Sequence, residues 1–216
     1  MDAVLAELPA FARAFGATLS LLLISGFGAL VLGVIIAAMR ISPVASLRAF
    51  ATVYTEIFRN VPLTLVLFFC ATLIPYINAS FSDYYVLALL GLTVYTSPFV
   101  AEAVRSGING VAVGQAEAAR AIGLGFGQVL TLVVLPQAVR MVIPPLINVF
   151  IALTKNTSVA GAFFIFELFA NARGQANQYG GDVIAILVAT AVLYLVITIT
   201  LGRIAEAVER KVAVLR

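Results

Sequence analysis

Long stretches without charge are the strongest constraint on what this chain folds into. No Asp, Glu, Lys or Arg falls between positions 16 and 39, 61 and 76, or 183 and 201. Two further stretches, about 84–104 and 128–153, are nearly as apolar. Hydrophobic residues make up 62% of the 216 positions and charged ones only 11%, giving a mean hydropathy of +1.11. A soluble domain keeps about a quarter of its residues charged to stay wetted, so the solvent of this chain is mostly lipid. At about 20 residues per helical crossing, the length accommodates around five spans. The expected architecture is an all-α integral membrane protein with one transmembrane domain over 1–216 and no separate catalytic domain.

Composition removes whole classes of chemistry. Histidine is absent and Cys70 is the single cysteine, which excludes His-based triads, HExxH zinc sites, CxxC pairs and internal disulfides. No metal or cofactor is expected on the chain. Lys155, in Leu153-Thr154-Lys155-Asn156-Thr157, lacks the glycine-rich loop that cradles phosphates, so ATP is not expected to bind by that route. The net charge of +3 is dispersed at span ends, which reads as membrane topology and not as a nucleic-acid surface. Asp2 and Glu7 replace the basic start of a signal peptide, and the apolar run after Arg13 is too long for one, so the N-terminus is expected to be retained.

The first span, 16–39, carries Gly26, Gly28 and Gly33, small residues that let another helix approach closely, and stops at Arg40. Residues 42–60 start at Pro43 and place Arg48, Glu56 and Arg59 among apolar positions, as in a helix lying along the interface. A second span runs from Val61-Pro62 to Pro75-Tyr76, and a third over 84–104 is the most polar. Residues 106–127, rich in glycine and carrying Glu117 and Arg120, must be wet or held against protein. The fourth span, 128–153, should break or bend at Pro136 and Pro144-Pro145. The stretch 158–170 is half a span long and reads as a re-entrant or interfacial helix, followed by a polar loop over 173–181 and a last span over 183–201. Arg40, Arg48 and Arg59, then Arg105 and Arg120, then the tail with Arg203, Arg210, Lys211 and Arg216 mark the cytoplasmic side. Five spans then leave the N-terminus outside and the C-terminus inside, with Lys155 and Arg173 outside as well; a sixth span at 158–170 would instead export the basic tail.

The most informative stretch is Gly114-Gln115-Ala116-Glu117-Ala118-Ala119-Arg120-Ala121-Ile122-Gly123, followed by Leu135-Pro136-Gln137-Ala138. Its residues describe a short alanine-rich helix stopped by a left-handed cap at Gly123. Glu117 and Arg120 either pair with each other or engage a partner. By composition alone a solvated loop helix serves equally well.

These residues carry a resemblance to the membrane permease subunits of bacterial ATP-binding-cassette importers, in the polar amino-acid uptake branch. The signature loop of that family is matched by Glu117-Ala118-Ala119, Gly123 and Leu135-Pro136. The likeness extends through Phe58-Arg59-Asn60-Val61-Pro62, Ala101-Glu102-Ala103-Val104-Arg105-Ser106-Gly107-Ile108, Pro144-Pro145 and Lys155-Asn156-Thr157-Ser158, and overall the chain looks most like actinobacterial glutamate-type permeases. Asn156 is a departure, since relatives often have Asp in a Lys-Asp-Thr-Ser motif.

The resemblance implies a type I importer permease fold in the bacterial plasma membrane. Gln115, Glu117, Ala118, Ala119, Arg120 and Gly123 would belong to a coupling helix, docking on a dimer of separate ATPase subunits that hold the ATP and Mg. Further implied partners are a second permease subunit, identical or homologous, an extracytoplasmic solute-binding protein, the amino-acid substrate and membrane lipid. Within the spans, polar and ionisable groups are candidates for the substrate path: Tyr95, Thr96, Ser97, Glu102, Arg105, Arg140 and Lys155. Glu102 and Arg105 serve equally as an interfacial ion pair, Arg140 as a snorkelling cation, and the hydroxyls as bonds back to their own helix. A self-contained secondary transporter is the competing reading, although it needs no docking loop and no inverted repeat is apparent. An intramembrane enzyme is disfavoured because Asp2, Asp83 and Asp182 all lie outside the spans.

Overall fold

The computed structural model describes residues 2–78, 80 and 82–213, and every regular element among them is helical. A short α1 (Asp2–Ala6) leads into α2 (Leu8–Ile41), the first span. Helix α3 (Ala45–Asn60) meets α4 (Leu63–Phe68) at a bend of 102°. Pro62 explains that bend, because the residue before a proline is pushed out of the helical region: Val61 stands at φ −91°, ψ 138°. Beyond α4, a π-helical stretch (Phe69–Leu73) runs into α5 (Ile74–Ile77), completing the second crossing. The third is α6 (Tyr84–Asn109), whose first turn is capped by Asp83 accepting from Tyr85 N at 2.9 Å.

The loop helix α7 (Val113–Ala121) follows, then a single turn, α8 (Phe126–Gln128), a second π-helical stretch (Val129–Val134) and α9 (Leu135–Ala160). Both π-helical stretches end just before a proline, Pro75 and Pro136, where a wider turn accommodates a residue that cannot donate to the ladder. Pro144 and Pro145 do not break α9 as the sequence suggests. The helix passes through them, and only the carbonyls of Arg140 and Met141, four residues earlier, lose their helical donors.

The expectation for 158–170 also needs correction. Positions 158–160 complete α9, the chain then leaves the helix with Phe164 at φ 64°, and α10 (Leu168–Gln178) forms where a polar loop was expected. Glu167 is the cause. Its fully buried carboxylate accepts from Phe169 N at 2.8 Å and Ala170 N at 2.6 Å, capping α10, and also accepts from Tyr194 Oη at 2.6 Å. The cap lies on α11 (Val183–Ala213), the last span, reached through one 3₁₀ turn (Gly180–Asp182).

Contacts fix the directions of the spans. Tyr85 near the start of α6 donates to Ser20 Oγ at 2.7 Å, Gly28 faces Thr93, Gly33 faces Val100, and Arg40 meets Glu102. Numbers rise together, so α2 and α6 are parallel. A Cβ at Gly33 would stand 2.5 Å from the Val100 side chain and 2.8 Å from Ser97 O, so only glycine permits this approach. Helix α9 runs the other way, with Val142 on Gly107 and Phe150 on Gly26. Helix α11 returns beside it, bringing Tyr194 to Glu167 and Leu201 beside Leu22. The buried core includes Leu21, Leu67, Leu92 and Leu153 from four crossings.

Candidate functional site

Helix α7 stands one short turn beyond α6, and its far end is closed by two bonds. Gly123 N donates to Arg120 O at 2.9 Å and Leu124 N donates to Ala119 O at 3.1 Å, with Gly123 at φ 91°. This is the left-handed cap expected at that glycine. A Cβ there would touch nothing within 4 Å, so the requirement for glycine is conformational. Ala119 is the buried member of α7, while Gln115, Glu117, Ala118 and Arg120 are exposed. Among the described residues Glu117 and Arg120 form no ion pair, which leaves both free for a partner. Val113, Ile122 and Phe126, at 72%, 80% and 72% exposure, add an apolar component to the same region. The helix packs back on the π-helical stretch that opens the fourth crossing, so it is braced by that crossing and linked to the end of α6 by the chain itself.

Glu102, one carboxylate among three guanidinium groups, occupies the same end of the molecule. Arg105, one turn along α6, donates to Oε2 from Nη2 at 2.9 Å and from Nε at 3.3 Å. Arg40, ending α2, contacts Oε1, and Arg59, ending α3, approaches it at 3.7 Å. Three helices are thereby tied at one point. The Glu102–Arg105 pairing follows from their i,i+3 spacing. The participation of Arg40 and Arg59 does not, because it depends on the bend after Asn60 and on the parallel docking of α2.

A cavity of about 400 Å³ opens between α6 and α9, lined by Tyr95, Thr96, Phe99, Asn148, Val149, Ala152 and Asn156. Of the candidates taken from the sequence, Tyr95 and Thr96 therefore meet at one place. Ser97 points elsewhere: it is fully buried, 2.8 Å from the Tyr54 hydroxyl. Pro98 explains the pairing, since its missing N–H frees the Val94 carbonyl, to which Tyr54 Oη donates at 3.1 Å and Ser97 Oγ lies equally close. Arg140 is not among the lining residues; it sits between Ala138 and Val142, where α9 meets Gly107, two turns from Asn148. Lys155 is exposed and also outside the lining. Asn148 was missed by the sequence reading and Asn156 was noted only as a departure from a motif, although two carboxamides eight residues apart on one helical face were a usable signal. A second groove, about 450 Å³ and lined by Ile57, Phe58, Leu65, Phe69 and Leu90 among others, presents almost only carbon and suits lipid tails.

Comparison with known proteins places this geometry. The chain is 40% identical over 205 residues to the glutamate transport system permease protein of Corynebacterium efficiens, covering 90% of each chain. It is 39% identical over 179 residues to a probable glutamine ABC transporter permease protein of Bacillus subtilis, covering 81% of this chain and 80% of the relative. Its fold superposes on a crystallised amino acid ABC transporter with histidines at a TM-score of 0.87 and 25% identity, covering 96% of both chains, and on the MetNI methionine ABC transporter in an inward-facing conformation at 0.74, covering 94% of this chain and 98% of that one. Residues 29–214 match the family described as binding-protein-dependent transport system inner membrane components, and with the helical fold, the capped loop helix and that match together, the chain belongs to this family of importer permeases.

Proposed function

We propose that this chain is the membrane-spanning subunit of an ATP-driven importer that moves a polar amino acid, glutamate first among the candidates, into the cytoplasm of a bacterium. The observation that carries the proposal is α7: a short helix with exposed charged and apolar side chains, ending in the bonds around Gly123 and joined to α6 by three residues. A helix so braced transmits the movement of whatever docks on it. Displacing α7 displaces the end of α6, and Glu102 passes that displacement to Arg40 on α2 and Arg59 on α3. The cavity lies farther along α6, so its shape responds to the same motion. ATP and Mg belong to a dimer of ATPase subunits docked at Gln115, Glu117, Ala118, Ala119 and Arg120. A solute-binding protein delivers the amino acid from outside, and a second permease, identical or homologous, completes the passage. The Corynebacterium and Bacillus relatives, named for glutamate and glutamine transport, support the substrate class.

Reconstitution in proteoliposomes with the cognate ATPase and binding protein tests the proposal. Loaded binding protein should stimulate ATP hydrolysis and drive uptake of the amino acid. Uptake driven by an ion gradient without the ATPase would establish a self-contained transporter instead.

A further inference from the structure

The fourth crossing opens on a weakened hydrogen-bond ladder. Over Val129–Val134 the backbone is wound with five-residue spacing, Leu135 N donating to Leu130 O, and Pro136 then withholds the next donor altogether. Side chains replace part of what the backbone gives up. Gln137 Nε2 reaches back to Val133 O at 2.9 Å, and Thr131 Oγ1 donates to Gly127 O at 2.7 Å. The π-helical stretch before Pro75 is stitched in a similar way by Thr72, which donates to Phe68 O at 2.6 Å.

The neighbours of Val129–Val134 set it apart. On one side α7 packs against it. On the other, α9 is fixed to α6 almost as soon as the stretch ends: a Cβ at Gly107 would stand 3.1 Å from Ala138 O and overlap the Val142 side chain, and one at Gly110 would stand 2.8 Å from Met141 Sδ. The stretch itself is held more loosely, with Val129 buried but Leu130, Thr131 and Leu132 exposed. Movement of α7 therefore meets a wide, thinly packed turn before it meets a tight joint. Bending concentrates in such a turn because few contacts are given up there, and rewinding it from the fifth towards the fourth carbonyl turns the α7 side about the axis of α9.

We infer that Val129–Val134 is the hinge on which α7 moves against α9, with Gln137 the positioning residue whose bond to Val133 O holds its resting angle. The inference rests on the transport reading and adds to it the segment that admits the movement of α7 and the side chain that limits it.

Hydrogen–deuterium exchange and transport, both measured on the complete importer in lipid, test it. In the parent, exchange over 129–135 should change when ATP and loaded binding protein are added, and by more than exchange over 69–74, a wide turn that lies away from α7. Gln137→Met keeps the length of the side chain and removes its N–H, so exchange over 129–135 should become about five- to tenfold faster. The ATPase should still co-purify and hydrolyse ATP, while amino acid imported per ATP falls about threefold or more, because a hinge without a resting angle transmits less of each stroke. Gln137→Lys returns a donor of similar reach and should bring both quantities to within about twofold of the parent. A residue that served only the fold would lower uptake and hydrolysis together and leave their ratio unchanged. That unchanged ratio, exchange over 129–135 no faster in Gln137→Met, or a parent in which 129–135 responds to ATP no more than 69–74 would overturn the inference while ATP-driven transport stands. Should Gln137→Met fail to assemble, the ATP response of the parent still decides. Absence of ATP-driven uptake in the parent would instead remove the transport reading, and the inference with it.

Discussion

Glu102 shows how much one side chain can hold together. It joins α2 through Arg40, α3 through Arg59 and its own helix through Arg105, and its exposure of 21% is low enough for these contacts to matter. Glu102→Gln would leave three guanidinium groups facing one another without a counter-ion. Arg59 and Arg105 are 41% and 37% exposed, so water screens part of the repulsion, and the expected cost is about 1–3 kcal/mol rather than that of a fully buried broken pair. The measurement is the thermal midpoint of the purified protein in detergent. Adding Arg40→Gln to Glu102→Gln should recover part of the loss, since it removes the most buried of the three cations; strictly additive losses would show that the two residues do not interact. Legibility at this scale divides by sequence distance. Glu102 with Arg105 is visible as two charges one turn apart, and Tyr95 with Thr96 as polar groups in a span. Arg40 and Arg59 are read from sequence only as charges that end helices, because their meeting with Glu102 is made by packing across three elements. Ser97 illustrates the opposite error: its neighbours in sequence line a cavity, but a helix turns by 100° per residue and carries its hydroxyl to Tyr54.

At the scale of elements, the loop helix was legible in full and the stretch after α9 was not. Alanine-rich composition and a glycine at the right distance specify α7 locally, and the bonds to Ala119 and Arg120 close it as expected. The start of α10 depends instead on Glu167, whose carboxylate is buried against Tyr194 from a helix that begins later in the chain, so hydropathy over 158–170 misplaces the element. The α7 assignment makes a separable prediction. Gly123→Val forces a β-branched residue into the left-handed region at a cost of about 1–2 kcal/mol, confined to the cap because a Cβ there meets no neighbour. The spans should therefore insert and purify normally. Glu117→Lys reverses an exposed charge and leaves the cap intact. Co-purification with the ATPase and hydrolysis stimulated by loaded binding protein read the two effects: Glu117→Lys should lose the ATPase, and Gly123→Val should weaken or desensitise it. Variants that assemble and transport like the parent would reduce α7 to an ordinary loop helix.

For the whole molecule, direction follows from pairing. Because α2 and α6 are parallel, the chain must return across the membrane between them, and the short segment from α4 to α5 beyond the 102° bend is the element available to do so. Helix α9 then runs against α6 and α11 runs with α2, which gives five crossings and puts the two ends of the described chain on opposite sides. The four long apolar helices were readable from hydropathy, with the bent α3–α5 segment as the candidate for a fifth crossing; the parallel pairing was not, since it is written in close approaches such as Gly33 to Val100. From charge we propose which side is which. Arg40, Arg59, Arg105 and Arg120 gather at the α7 end, and an excess of basic residues favours the cytoplasm. Two exposed positions therefore report topology: Gln115 on α7 and Asn177 on α10, each replaced by cysteine in a Cys70→Ala background. A membrane-impermeant maleimide added to intact cells, with any outer barrier opened, should label Asn177→Cys at once and Gln115→Cys only after the membrane is permeabilised. The reverse pattern would invert the molecule and place α7, the proposed ATPase-docking helix, outside, where no ATPase could reach it. Labelling of both positions from one side would refute the five-crossing arrangement itself, because α7 and α10 are separated by the single crossing of the fourth span.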